Sequence, residues 1–142
     1  MKPAWLILIV IATCLIAQEP AQPTATMKQL MVDLIHPASN DILLAIYRGG
    51  PKDDREWAAL RRSALSLAES ANLLTARGRA RDQGNWIKDA KLLADAAAGA
   101  YKAAQAKDGK ALAAVAEPLD ASCTTCHKQY RPDVFPREGG SQ

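Results

Sequence analysis

The amino-acid sequence predicts an all-α fold, an antiparallel up-down-up-down four-helix bundle. Four segments repeat apolar residues at spacings of three and four, which is typical of amphipathic helices. Short breaks containing Gly, Pro or Asp separate these segments, and none of them alternates apolar and polar residues as a strand does. Such helices bury their apolar faces against one another, and short loops favour antiparallel neighbours. The length of 142 residues suits a single domain.

The first two helices can be bounded by their breaks. The first is predicted to end near Arg48 and to kink at Pro37. Its apolar face comprises Met27, Met31, Leu34, Ala38, Ile42 and Ala45. The second is predicted to begin at Asp53 and Asp54, because acidic side chains favour a helix N-terminus, and to end before Gly78. Its apolar face comprises Trp57, Leu60, Ala64, Leu67, Ala71 and Leu74.

The last two helices follow the same pattern. The third is predicted from near Asn85 to Asp108. Its apolar face comprises Trp86, Ala90, Leu93, Ala97, Tyr101 and Ala104. The fourth is predicted from about Lys110 to Arg131, with a bend at Pro118. Its apolar face comprises Leu112, Val115, Leu119, Cys123, Cys126 and Tyr130.

The first residues have the pattern of an export signal. Lys2 precedes an apolar run from Ala4 to Ala17, which is shorter than the roughly 20 residues of a membrane-spanning helix. We therefore predict cleavage after Ala17, a periplasmic product and no membrane span after cleavage. Lipidation at Cys14 and an uncleaved N-terminal anchor are alternatives. The predicted organisation is a signal peptide at residues 1–17, a linker at 18–25, a bundle domain at 26–132 and a tail at 133–142.

Charge and motif content exclude several classes of function. The net charge of +3 is small, and basic residues do not form a stripe interleaved with aromatic residues, so nucleic acid is not a predicted partner. No segment resembles a nucleophile with its base, a pair of catalytic carboxylates or a glycine-rich phosphate loop. We therefore do not predict an enzyme.

Near the end of the fourth helix, CTTCHKQYR contains a C-x-x-C-H motif formed by Cys123, Cys126 and His127. On a helix, these three side chains project from one narrow face. The motif is typical of covalent haem c, in which both sulfurs bond to the porphyrin and the imidazole binds iron. A structural zinc site needs four ligands from cysteine and histidine. Besides the three residues of the motif, the chain after the signal peptide has only His36. A thioredoxin-like redox pair would lie beside strands, which are not predicted.

The chain resembles the class II c-type cytochromes, the cytochrome c prime family. The resemblance is carried by CTTCHKQYR on the last helix and by KQLM early in the first. It implies one covalent haem c, a proximal His127 and a distal side governed by the first helix. Members with methionine there carry electrons to redox partner proteins, whereas members with an apolar residue bind NO or CO. The resemblance also implies a homodimer as an assembly state, and Arg131 matches the arginine that often follows the motif.

The predicted topology allows the second axial ligand to be considered from the residues themselves. Alternating helix directions bring Met31 level with His127, and Met31 lies on the apolar face, so Met31 is the predicted sixth ligand. Met27, one turn earlier, is a reserve that we expect to pack against the haem edge. His36 lies on another face of the helix. Whether the ligand is Met31, Met27, His36 or none is left open.

Further residues are predicted at the same end of the bundle. Leu74 and Trp86 are expected to wall the haem pocket. Tyr130 and Arg131 lie over the helical turn of His127 and could orient its imidazole or contact a propionate. A loop with three arginines, Arg77, Arg79 and Arg81, is expected to lie there too, where it could pair with propionates or attract an acidic redox partner. The predicted function is electron transfer, and gas binding at an open iron is the alternative.

Overall fold

A computed structural model describes residues 23–76 and 78–133, and the four predicted helical segments are all helical in it. Of these described residues, 75% lie in helices and none in a strand, so the domain is an all-helical bundle. Within the same ranges no helix is both long enough and apolar enough to cross a membrane. The predicted signal peptide, the linker up to residue 22, Arg77 and the tail beyond residue 133 lie outside the described residues.

Helix α1 consists of three consecutive pieces: α-helical Met27–Gln29, π-helical Leu30–Ile35 and α-helical His36–Tyr47. Thr26 caps its start, since its hydroxyl accepts from the Gln29 N–H and the Gln29 side chain accepts from the Thr26 N–H. Pro37 has no N–H to donate, and the N–H of His36 reaches back five residues to the Met31 carbonyl. The kink predicted at Pro37 thus takes the form of a π-helical turn directly before it.

The π-helical turn changes which side chains of α1 face the core. Leu30 and Ile35, five positions apart, are buried at 0% and 4% exposure. Leu34, predicted on the buried face, is instead 40% exposed. A π turn contains one more residue than an α turn, so the core-facing position moves from Leu34 to Ile35. The prediction for Leu34 was wrong because it assumed regular α-helical spacing.

Helices α2 (Asp54–Asn72) and α3 (Asn85–Ala106) form the centre of the bundle and pack along each other. Asp53 caps α2 by accepting from the N–H of Glu56. Helix α2 ends several residues before the predicted limit at Gly78, yet Leu74 stays buried in the turn that follows.

Helix α4 is divided into Gly109–Ala113 and Ala116–Tyr130. The break lies just before Pro118, which has no N–H for the carbonyl four residues earlier. The bend predicted there is therefore present as an interruption. Helix α4 packs on α3, α1 packs on α2, and α1 and α4 touch each other only sparsely.

Small side chains dominate the interior of α3. Ala97 and Ala100 have no exposed surface, and Gly99 lies against Val115 in the break of α4. Larger side chains fill the space between helices from the other elements, and those that are fully buried are Leu30, Ile42, Leu67, Leu112 and Leu119. Because alanine lets helix backbones approach closely, α3 can be packed on both α2 and α4.

Side chains also connect the ends of the helices. Lys107 Nζ, after α3, contacts Asp54 Oδ1, at the start of α2, over 2.7 Å. At the other end, Trp86 Nε1 in the first turn of α3 donates to the Leu74 carbonyl over 2.7 Å. The first contact joins the end of α3 to the start of α2, and the second joins the start of α3 to the turn after α2.

Candidate functional site

A cavity of about 40 Å³ lies where the beginnings of α1 and α3, the turn after α2 and the end of α4 meet. It is lined by six side chains predicted for the site, Met31, Leu74, Trp86, Cys123, Cys126 and His127. Ile35, Asp89, Ala90, Leu93 and Ser122 complete the lining. Residues far apart in the sequence therefore converge on the C-x-x-C-H motif, although their role in binding haem stays a prediction.

The last turns of α4 position the two thiols and the imidazole. Cys123 and Cys126 are free cysteines, and together with His127 they are half-buried. Burial raises the pKa of Cys123. Burial, with the negative charge of Asp89 adding to it, raises the pKa of Cys126 to about 11. The surroundings of both sulfurs therefore favour the thiol over the thiolate.

His127 is also held neutral. Burial lowers its pKa, and the positive charge of Arg131 lowers it further. Neutral imidazole is the form that binds metal ions. The environment of His127 thus favours the protonation state that an iron ligand requires.

Tyr130 fixes the end of α4 against α3 rather than lining the cavity. Its hydroxyl donates to Asp82, whose carboxylate also accepts from the N–H groups of Gly84 and Trp86. The Tyr130 ring meets the edge of Trp86 with ring centres 4.9 Å apart. Tyr130 therefore positions the helical turn that carries His127.

Trp86 and Leu74 form one wall of the cavity as a unit. The indole N–H of Trp86 donates to the Leu74 carbonyl, so the turn after α2 is tied to the start of α3. Both residues are almost fully buried. This hydrogen bond satisfies the only polar atom of the Trp86 side chain and leaves its ring to line the cavity.

Asp89 is a site residue that the sequence analysis missed. It is 4% exposed, lines the cavity, and has one carboxylate oxygen, Oδ2, without a hydrogen-bond partner among the described residues. A signal was available, because Asp89 follows Trp86 by three positions and precedes the apolar Ala90 directly. Charged side chains are rarely buried, so an acid beside the apolar face of a helix indicates a possible site residue.

Three other candidates lie away from the cavity lining. Met27 lines a separate groove with the loop before α3. Arg131 pairs with Asp133 over 3.0 Å at the surface. His36 is exposed, in keeping with its predicted position on another face of α1.

The residues at the cavity fit a covalently attached haem in their chemistry. Two thiols and an imidazole share the cavity with apolar side chains, and Met31 offers a thioether from another helix. The cavity volume of about 40 Å³ is far below the roughly 300–1,000 Å³ of sites that enclose drug-sized ligands. A porphyrin would fit at this cavity only if the helices around it moved apart. In the described ranges, no group of three or more His, Cys, Asp or Glu side chains could hold a metal ion.

Comparison with known proteins leaves the chemistry of these side chains as the basis for assigning a function. No family model, curated protein or solved structure matches the chain.

Proposed function

We propose that this protein is an exported c-type cytochrome that carries single electrons, similar to the class II c-type cytochromes. One haem c is held through the sulfurs of Cys123 and Cys126, with His127 on one side of the iron and Met31 on the other. A single observation carries this proposal: both free thiols and the imidazole of the motif line one cavity with Met31, which comes from the opposite end of the chain.

The proposed topology is an antiparallel bundle with the site at one end. The contacts of Trp86 with Leu74 and of Lys107 with Asp54 support opposite directions for α2 and α3. The bond from Tyr130 to Asp82 supports the same relation between α4 and α3. In this topology the start of α1 and the end of α4 lie at one end, as ligation by Met31 and His127 needs.

The sparse contact between α1 and α4 supports an entry route for the porphyrin. Helices α2 and α3 pack closely, as do α3 and α4, whereas the helices that carry Met31 and His127 barely touch. A flat group inserted between α1 and α4 separates the pair of helices with the least packing to lose.

The side chains of the site set the properties of the carrier. When bound, haem c supplies the one-electron chemistry of iron. A thioether ligand from Met31 would raise the reduction potential relative to a second histidine, and the apolar side chains of Leu74, Trp86 and Leu93 would keep water from the bound group. His127, held neutral by burial, supplies the proximal nitrogen.

We further propose that the protein works in the periplasm with redox partner proteins. This part rests on the apolar run of residues 4–17 and on the resemblance. Lipidation at Cys14 or an uncleaved anchor would hold the same domain at the membrane. A homodimer is part of the proposal only through the resemblance.

A second function, gas binding at five-coordinate iron, is favoured by one observation. Ile35 lines the same cavity as Met31 and is only 4% exposed, whereas Met31 is half-buried. If Ile35 rather than Met31 covers the iron, the sixth position stays open to NO or CO.

Expression of the full-length chain together with a c-type haem maturation system tests the proposal. We expect a coloured product whose haem stays with the polypeptide after denaturation and is lost in a Cys123→Ser, Cys126→Ser variant. A colourless product, with both thiols still open to alkylation, would rule the proposal out.

Absorption spectra of the purified protein then separate the two functions. Electron transfer predicts a low-spin spectrum with a sulfur-to-iron band that disappears in Met31→Ala and persists in Met27→Ala. A high-spin ferrous form that takes up CO at once would identify the gas-binding function instead.

A further inference from the structure

A second concave surface adjoins the start of α1 and is lined largely by the loop before α3. We call it the arginine groove: Pro23, Ala25, Met27, Gly78, Arg79, Ala80 and Arg81. It is open to solvent and has a volume of about 430 Å³. Its two charged side chains are both basic.

Arg79 lines this groove, and two of its donors have no acceptor among the described residues. Its Nη2 donates to the Ala25 carbonyl over 2.6 Å, which fixes the guanidinium against the start of α1. Its Nε and Nη1 are shielded from solvent and have no hydrogen-bond partner among the described residues. Buried unpaired donors are costly, and a cationic donor gains most from an anionic acceptor. An anion is therefore the ligand that would complete the environment of Arg79.

The described residues provide no such anion within the chain. Neither Arg79 nor Arg81 takes part in an ion pair in residues 23–76 and 78–133. The neighbouring carboxylate of Asp82 is engaged by Tyr130 and by the first N–H groups of α3. Among the described residues, therefore, no ion pair neutralises the positive charge of the groove.

The arginine groove lies next to the cavity of the C-x-x-C-H motif. Met27 lines the groove and Met31 lines the cavity, and they are neighbours along α1. A group bound at the cavity that carries acidic substituents on one edge could thus reach the groove.

We propose that the arginine groove binds the carboxylate edge of the porphyrin held at Cys123 and Cys126, with Arg79 as the principal donor and Arg81 as the second positive charge. This inference rests on the proposed function and deepens it. Porphyrins of the haem type carry two propionates on one edge, and guanidinium groups are the side chains best suited to carboxylates. The groove then selects the orientation in which the porphyrin enters the bundle.

Binding of haem and of its dimethyl ester to the full-length chain, produced without haem maturation, tests this inference. The ester has the same ring but no carboxylates. We expect the chain to bind haem at least about tenfold more tightly than the ester, the loss expected when a charge-assisted hydrogen bond is removed. In Arg79→Gln, most of this preference should be lost, because only the charge of Arg81 remains. Arg61→Gln, which removes an equal charge from the exposed face of α2, should leave the preference unchanged.

The outcomes separate this inference from the proposed function. Equal affinity of the wild-type chain for haem and ester would overturn the role of the groove while leaving haem binding intact, and this comparison does not depend on folding of a variant. Binding of neither compound would overturn the role of the groove, whereas the proposed function is overturned only by a colourless product of co-expression with the maturation system. A preference that survives in Arg79→Gln, with unchanged helix content by circular dichroism, would also overturn the role of Arg79.

A small-anion site is tested separately with sodium acetate and inorganic phosphate. If either raises the melting temperature of the wild-type chain but not of Arg79→Gln, and haem shows no preference over its ester, the groove binds free anions and the proposal fails. Support requires the preference for haem over the ester and its loss in Arg79→Gln.

Discussion

Asp89 is a buried acid that shares the cavity with two thiols and an imidazole. Its side chain is almost fully buried, and its Oδ2 atom has no hydrogen-bond partner among the described residues. Its negative charge raises the pKa of Cys126 in addition to the effect of burial. A charge that acts on the thiol will also act on a cofactor attached there.

We expect Asp89→Asn to raise the reduction potential of the haem-loaded protein. A nearby negative charge stabilises the oxidised iron, so its removal favours reduction by an amount on the order of tens of millivolts. Spectroelectrochemical titration measures the shift. Asp95→Asn, which neutralises an exposed acid on the same helix, is the control and should shift the potential much less. Equal shifts of the reduction potential in the two variants would contradict a specific effect of the Asp89 charge on the haem.

The bond between Tyr130 and Asp82 predicts a specific dependence of stability on pH. Burial and the carboxylate of Asp82 raise the pKa of Tyr130 to about 12, whereas the bond to Tyr130 lowers the pKa of Asp82. Because the fold raises the pKa of the Tyr130 phenol, this group stabilises the fold fully at pH values below its ordinary pKa of 10.0. The stabilisation is lost as the pH rises towards 12. Because the fold lowers the pKa of the Asp82 carboxyl group, this group stabilises the fold at pH values above its ordinary pKa of 3.8. The stabilisation is lost in stronger acid.

We therefore expect Tyr130→Phe to have a lower melting temperature than the wild type near pH 7. The difference should shrink between pH 10 and 12, and again below pH 3.8. Thermal melts followed by circular dichroism measure it. Tyr47→Phe, which changes a 71% exposed tyrosine, serves as the control. A difference that stays constant across the pH range would mean that Tyr130 contributes only its ring.

At the scale of single elements, the π-helical turn of α1 decides which side chains reach the site. It buries Leu30 and Ile35 and turns Leu34 outward. The sequence could not reveal this, because Leu34 and Ile35 are both apolar and either fits a helical repeat. Pro37 did indicate an irregularity, since its missing N–H and ring disfavour a regular helix there.

Deletion of Leu34 tests whether the π turn is a one-residue insertion. Without Leu34, residues Leu30 and Ile35 are four apart, so in a Pro37→Ala background, used for both deletions, a regular α-helix can bury both. We expect the free energy of unfolding to change by about 1 kcal/mol or less. Deletion of Leu44, an exposed residue in the regular part of α1, is the control.

The Leu44 deletion should cost about 3 kcal/mol or more, because everything before it rotates by one residue and leaves the core. Urea denaturation measures both variants. Equal losses in the two deletions would contradict an insertion at Leu34.

For the molecule as a whole, the packing is uneven around the bundle. Helix α3 packs on both α2 and α4, whereas α1 and α4 meet sparsely. The site lies at the open end of that seam. We therefore expect local openings to concentrate there, because they break the fewest packed contacts.

Hydrogen exchange of the chain without haem should show this difference. We expect the amides of Leu30–Ile35 and of the last turns of α4 to exchange at least about tenfold faster than those in the middle of α2 and α3. Covalent haem should slow exchange in the first two regions and leave the middle of α3 unchanged. Mass spectrometry resolves these regions, and uniform exchange along the helices would contradict a loose seam.

The sequence was most informative where one chemical feature dominates. Apolar spacing predicted the four helical segments, and the residues Cys123, Cys126 and His127 define their motif without any structure. Asp89 was missed because burial of an acid depends on neighbours from other helices. The positions of Met27, which lines a separate groove, and of Arg131, which pairs with Asp133, also depend on side-chain geometry that spacing does not contain.

The alanine-rich interior of α3 affects the thermodynamics of folding. Alanine has no rotamers to lose, so Ala97, Ala100 and their neighbours become ordered without the entropy loss of long side chains. Each also removes little apolar surface from water, so the hydrophobic gain per residue is small. The heat capacity of unfolding should consequently be low for a helical domain of this length, which flattens the curve of stability against temperature.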